Sequence, residues 1–290
     1  MVASYPAAVN SDPNAILERM SRRTPFFLLG TGRCGSTWIY QLLERHPQVA
    51  LTDEARFVDL VWFFSQFAGQ SNLERRAWDT RPRQELNGMV TEHFTEPAAR
   101  SVTEQSAVLL GDFYERVAGR QEFTHWGDKL PDARAARALQ SLWPQTKFVL
   151  IVRDPRDNYC SYRQFALKPE ILEKYPELSS ITAADFARDW RTLNTGCLDH
   201  LEPLHVMRYE EMVAAPDAQL AQLLEFLELP PHPDVHVASE RPAAYASHST
   251  TRSVAQSVGR WREELDEQDV AVIDELTGGH LQRFGYRPGS

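Results

Sequence analysis

The sequence predicts an α/β fold in three layers, α/β/α, with a parallel sheet at its centre. Three observations predict it. Apolar runs at 26–29, 147–152 and 204–208 are each followed by a helical pattern, the order of parallel β-α units. A glycine turn, Gly30-Thr31-Gly32-Arg33-Cys34-Gly35-Ser36-Thr37, joins the first run to an amphipathic stretch ending near His46. No repeat and no Gly/Ser-rich or charged linker divides the chain, so its 290 residues make one large domain.

Residues 1–22 are polar, with Pro and Asn, and form a loose N-terminal extension to a domain over 23–290. Phe26, Phe27, Leu28 and Leu29 supply the first strand. In the turn that follows, glycines let backbone N–H groups approach an anion, and the dipole of the next helix favours negative charge there. A helical insert over about 55–122 comes next, with helical patterns at roughly 55–68, 84–98 and 103–119, suited to a pocket wall or lid. The second β-α unit is the clearest. Phe148-Val149-Leu150-Ile151-Val152 leads to Asp154, a helix N-cap, and Pro155, its first helical residue. After the third strand, Leu220, Leu223, Leu224 and Leu227 share one helix face. Residues 230–257, rich in Pro, His and Ser/Thr, form a long surface loop, and a last helical segment starts at about Gly259.

Composition narrows the partners. Hydrophobic residues at 42% and charged residues at 24% are ordinary for a globular protein. Thirty-one basic against 40 acidic residues give a net charge of −9, which argues against a broad face for nucleic acid. Three unclustered cysteines, Cys34, Cys160 and Cys197, suggest neither a disulfide framework nor a zinc site. Without a secretory signal or a membrane-length apolar run, the expected setting is cytoplasmic, with no membrane partner.

The glycine turn departs from the triphosphate-binding pattern G-x-x-x-x-G-K-[ST] at one informative place. The lysine that reaches the β/γ-phosphates is replaced by Ser36, and the loop's cation is Arg33. Such a loop holds one phosphate but lacks the grip on a polyphosphate tail with magnesium. Gly32-Arg33-Cys34-Gly35-Ser36-Thr37-Trp38 resembles the 5′-phosphosulfate loop of sulfotransferases that use 3′-phosphoadenosine-5′-phosphosulfate (PAPS). Residues 148–161 resemble that family's 3′-phosphate element, with Arg153 at a strand end and Ser161 eight positions on. The run Arg208-Tyr209-Glu210-Glu211-Met212 resembles its Y-E-x-L segment, and Ser257-Val258-Gly259-Arg260-Trp261 its V-G-x-W. The motifs come in the family's order and span most of 25–286.

The resemblance implies a P-loop-like fold and a PAPS-dependent enzyme that sulfates a hydroxyl acceptor, releases 3′-phosphoadenosine-5′-phosphate (PAP) and needs no metal. Within the family the likeness is greatest to the tyrosylprotein sulfotransferases and their bacterial relatives. That group has a glutamate base 21 residues after the loop arginine, past an H-P step. Here His46-Pro47 is present and the glutamate is Glu54, followed by Arg56. The group's lysine before the 3′-phosphate strand corresponds to Lys129 in Asp128-Lys129-Leu130-Pro131. By this resemblance Glu54, raised in pKa by partial burial, takes the acceptor's proton. Arg33 and Lys129 neutralise the leaving 5′-phosphate. Ser36 and Thr37 donate to that phosphate, Trp38 lies against the adenine, Cys34 fills space, and Tyr209 and Gly259 line the nucleotide. The family's R-K-G triplet for the 3′-phosphate is absent, leaving Arg252 as a loose candidate.

Other readings of the same residues stay open at this point. His93 and His125 are alternative bases, and Cys34 at a helix N-terminus has the setting of a low-pKa thiol. Trp261 is expected in the core, with Arg260 and Arg262 solvated. Trp62, Phe63, Phe64 and Phe67 form helix core or line an acceptor pocket. A P-loop phosphotransferase and a non-catalytic PAP-binding module are the rival functions.

Overall fold

The five strands form one sheet, every adjacent pair parallel, in the order β2-β3-β1-β4-β5. They are β1 Thr24–Leu29, β2 Val49–Asp53, β3 His125–Lys129, β4 Lys147–Val152 and β5 Leu204–Arg208. The computed structural model describes residues 12–55, 57–59, 96–119, 122–129, 133–140, 143–237, 250–251 and 253–287. Its helices are α1 Pro13–Ser21, α2 Ser36–Leu43, α3 Glu96–Ala118, α4 Ala133–Gln140, α5 Pro155–Ala166, α6 Pro169–Lys174, α7 Ala183–His200, α8 Tyr209–Ala214, α9 Pro216–Leu227, α10 Trp261–Glu264 and α11 Glu267–Leu281.

Alternation along the strands builds two cores. Phe27, Leu29, Trp126, Phe148 and Leu150 pack with residues of α1, α3, α4, α7 and α11 on one face. Phe26, Leu28, Val149, Ile151 and Met207 pack with α2, Met212 of α8 and the four expected leucines of α9 on the other. Both faces are therefore covered, which is why β1 and β4 carry unbroken apolar runs. The expected caps are found: Asp154 accepts from the Arg156 amide, with Pro155 as the first residue of α5.

Four expectations change. Pro13–Ser21 of the supposedly loose extension forms α1, because Ile16 and Met20, one turn apart, are buried and Arg19 forks onto Glu115 at 2.7 and 2.9 Å. Strands β2 and β3 join the sheet unannounced by any long apolar run. Glu96–Ala118 is one helix across a stretch that the sequence divides in two, and residues 60–95, with Trp62, Phe63, Phe64, Phe67 and His93, lie outside the described residues.

His125 is not a base at the site. It opens β3, whose other end is Lys129, about 13 Å away at the usual rise of a strand. Its ring is buried: Nε2 donates to the Leu227 carbonyl at 2.8 Å and Nδ1 lies 2.8 Å from the Thr124 hydroxyl. Burial, opposed by the Leu227 carbonyl, lowers its pKa to about 4. The unfolded chain binds a proton that the fold excludes, so His125 stabilises the fold above pH ~6.5, and this contribution is lost as pH falls toward 4. His125→Gln is expected to flatten the fall in unfolding free energy between those pH values, measured by denaturant titration at each pH.

Candidate active site

The carboxyl ends of the strands converge on one edge. β2 ends at Asp53 and Glu54, β3 at Lys129, β1 at the glycine loop, β4 at Arg153 and β5 at Tyr209, in that spatial order. From β1 the chain winds first to β2 and later to β4 on the opposite side. Ligands of α/β proteins bind outside such a switch point.

The loop is shaped for close approach. Gly30 has φ 148°, and a Cβ there would lie 2.5 Å from the Ile151 carbonyl oxygen. Gly35 has φ 107°, and its Cβ would lie 2.5 Å from the Tyr209 ring. Gly35 is the N-cap of α2 and offers no side-chain acceptor to the helix's first turn, an arrangement that favours an external anion. Gly32 is exposed at the loop tip, and Arg33 takes a left-handed φ of 70°. Cys34 is buried, and burial raises its thiol pKa, opposite to the shift of an activated helix-terminal thiol. Ser36 is buried at the start of α2, and its interaction with Cys34 opposes the effect of burial on that thiol. Thr37 is half-buried and accepts from Lys129, while Trp38 packs edge-on against Tyr209 with centroids 6.3 Å apart.

Lys129 is buried and thoroughly engaged. Register pairs it with Asp53, which puts both side chains on one face of the sheet. Its Nζ lies 2.7 Å from Asp53 and donates to Glu54 at 3.0 Å and to Thr37 Oγ1 at 3.1 Å. Burial opposes its charge, but the bonds to Asp53 and Glu54 outweigh that, and its pKa is raised. On the other face, buried Asp128 accepts from Thr52 Oγ1 at 2.8 Å, from the Lys129 amide at 2.9 Å and from the Ala55 amide at 3.3 Å. These bonds fix the turn that carries Glu54, whose φ is 54°. The partial burial expected of Glu54 is absent, its side chain being 55% exposed. Contact with Lys129 holds it instead.

Two arginines face each other across the loop. Burial, with the like charge of Arg153, lowers the pKa of Arg33 to about 10, and its guanidinium lies 4.4 Å from the centre of the Phe165 ring. Arg153 is buried over the Tyr209 ring at 4.5 Å, donating to the Arg33 carbonyl at 3.2 Å and the Ser257 carbonyl at 2.5 Å. Its Nε is buried without a hydrogen-bond partner. Neither Asp154 nor Asp157 pairs with it: Asp154 pairs with Arg156 at 2.7 Å, and Asp157 accepts two backbone amides. The site thus concentrates desolvated positive charge where an anion relieves it.

Residues 250–261 cross the site as a C-terminal strap, of which 252 lies outside the described residues, so the place of Arg252 is not described. Asp157 accepts from the amides of Gly259 at 2.6 Å and Trp261 at 3.0 Å. The Gly259 amide is thus engaged within the protein. Tyr209 Oη lies 2.7 Å from Ser257 Oγ, and Ser161 Oγ 3.2 Å from Thr250 Oγ1. Trp261 is buried as expected, beneath the Arg156 guanidinium at 4.1 Å. Arg260 is buried rather than solvated, whereas Arg262 is exposed. Asp53, Asp157 and Thr250 escaped sequence reasoning. The pairing of Asp53 follows from strand register, and those of Asp157 and Thr250 from contacts that span much of the chain.

Residues 25–234, more than half of the chain, match the model of the sulfotransferase family. Protein-tyrosine sulfotransferase A of Caenorhabditis elegans is 23% identical over 288 residues, covering 93% of this chain and 69% of that protein. Protein-tyrosine sulfotransferase 1 of Danio rerio is 24% identical over 278 residues, covering 90% and 72%. The solved sulfotransferase domain from the curacin biosynthetic pathway shares the fold, with a TM-score of 0.53 and 18% identity, covering 91% of this chain and 99% of that domain.

Asp157→Asn leaves one carbonyl oxygen where two carboxylate oxygens now accept. Amide exchange at Gly259 and Trp261 is expected to quicken by about tenfold or more, the size of a buried charged hydrogen bond, as read by hydrogen-deuterium exchange.

Proposed function

We propose the following chemistry for this chain, which belongs to the sulfotransferase family and transfers a sulfuryl group to a hydroxyl acceptor: PAPS is the donor, and the acceptor approaches past Glu54. The observation that carries the reading is the line of strand ends that places Glu54, Lys129, the glycine loop and Arg153 side by side along one edge. The residues present fit a nucleotide phosphorylated at two positions. The loop and the first turn of α2 suit one phosphate, and Arg153, with its buried unpartnered Nε, suits another on the far side of the loop.

When bound, PAPS supplies an activated sulfuryl group on a good leaving group. Loop amides, Thr37 and Lys129 hold its 5′-phosphosulfate, while Arg153 and Ser161 hold its 3′-phosphate. Trp38 and Tyr209 supply aromatic surface beside the nucleotide. Glu54 accepts the acceptor's proton as the new oxygen–sulfur bond forms and the sulfur–oxygen bond to the 5′-phosphate breaks. Lys129 and Arg33 balance the charge that grows on the departing phosphate oxygen. Asp53 keeps Lys129 paired when Glu54 turns to the acceptor, so the two carboxylates divide the work. Fixed cations thereby take the part that magnesium plays in phosphoryl transfer.

Peptide tyrosine is one acceptor class this reading admits, by likeness to the protein-tyrosine sulfotransferases, beside alcohols and other phenols. Three buried, unpaired cysteines support a cytoplasmic setting. Among the described residues no helix is long and apolar enough to cross a membrane.

Glu54→Gln is expected to lower turnover by about 10²–10⁴-fold with PAP affinity nearly intact, measured by transfer of labelled sulfate from PAPS to a panel of phenols, alcohols and tyrosine peptides. Wild-type turnover in that variant rejects Glu54 as the base, whereas a wild-type protein that binds PAP but transfers no sulfate to any acceptor favours a PAP-binding module. Arg153→Ala is expected to weaken PAP far more than adenosine 5′-phosphosulfate, and equal losses reject the 3′-phosphate assignment.

A further inference from the structure

Among the described residues of the strap, Arg260 is the strongly buried cation, its side chain only 4% exposed. Its main chain is clamped, because the amides on either side of it, those of Gly259 and Trp261, both donate to Asp157. Arg153, Asp157 and Ser161 follow at four-residue intervals from the end of β4 along α5, and so lie on one face. The strap meets all three: Ser257 lies on Arg153, Gly259 and Trp261 on Asp157, and Thr250 on Ser161. Anchored in this way, Arg260 extends to Thr250, its Nη1 donating to Thr250 Oγ1 at 3.0 Å. Its other edge forks onto Glu264, with both contacts at 2.8 Å.

We propose that Arg260, acting through Thr250, is a positioning residue for the 3′-phosphate. It would then set the preference for a donor phosphorylated at that position. This rests on the PAPS reading above and supplies the cation that the missing R-K-G triplet leaves unaccounted for. The hydroxyl of Thr250 stands between Ser161 and the Arg260 guanidinium. An anion held at Ser161 lies beside a hydroxyl that already accepts from Arg260 and keeps its own proton to donate. Glu264 competes with that anion for Arg260. Its side chain is 31% exposed, and Gln164 Nε2 donates to it at 2.9 Å. The two ends of the Arg260–Glu264 pair are thus predicted to act in opposite directions on the nucleotide, which a purely structural salt bridge does not do.

Titration calorimetry with PAP and with adenosine 5′-phosphate separates the possibilities. Arg260→Gln is expected to lose about tenfold or more in PAP affinity, the span of a charged hydrogen bond, with adenosine 5′-phosphate bound as by the wild type. Thr250→Val, which removes only the relaying hydroxyl, is expected to lose affinity in the same direction. Glu264→Gln is expected to bind PAP at least as tightly as the wild type. The assignment is overturned if Arg260→Gln keeps its PAP affinity, if it loses both nucleotides equally, or if Glu264→Gln weakens PAP as much as Arg260→Gln does. A wild-type protein with no preference for PAP over adenosine 5′-phosphate rejects the donor reading itself, and this assignment with it.

Discussion

Holding positive charge out of water at the carboxyl edge of the sheet is the constraint on which the rest of this structure depends. Removing a charge from water costs several kcal/mol even after relaxation, and Lys129, Arg153 and Arg260 are all buried. The two sides of the glycine loop meet that cost differently. On the β3 side, Asp53 and Glu54 supply carboxylates to Lys129, and the net effect is a raised pKa. On the β4 side, Arg153 has carbonyls, an aromatic face and a like-charged neighbour in Arg33, whose pKa falls to about 10. The two arrangements differ in that carboxylates hold Lys129, while Arg153 keeps a buried Nε without a hydrogen-bond partner.

That asymmetry orders the chemistry. On the proposed reading, the Lys129 end carries the groups that move protons and stabilise a leaving oxygen, and the Arg153 end anchors the nucleotide. Tyr209 ties them together. Its ring fills the space that glycine leaves at position 35 and supports the Arg153 guanidinium, while its hydroxyl meets Ser257 of the strap. One residue at the end of β5 therefore touches the phosphate loop, the cation of β4 and the covering strap. Buried Asp157 completes the assembly. Burial raises its pKa against the pull of the Gly259 and Trp261 amides, and those two bonds fix the path of the strap.

Much of this was legible in the sequence, and the omissions have physical causes. β1, β4 and β5 announce themselves as apolar runs, and Asp154-Pro155 marks the start of α5 because capping is local chemistry. β3 reads His-Trp-Gly-Asp-Lys and conceals itself: its polar residues are buried yet satisfied by partners on β2, α9 and the chain just before it, which no local window contains. The resemblance singles out the glycine loop, Lys129, Glu54 and Arg153, and the strand ends bring them to one edge. The exposure of Glu54 and the burial of Arg260 are not legible, because each is decided by a contact rather than by a residue type. Arg260 looks like a solvated charge beside Trp261 until Asp157, far away in sequence, turns it toward Thr250.

Two separate anion pockets flanking the loop are the core of the account, and phosphorus NMR of PAP titrated with the protein observes each pocket on its own. Both phosphorus resonances are expected to shift together and saturate at one equivalent. A spectrum in which only the 5′-phosphate responds, with the 3′-phosphate left at its free position, contradicts the account.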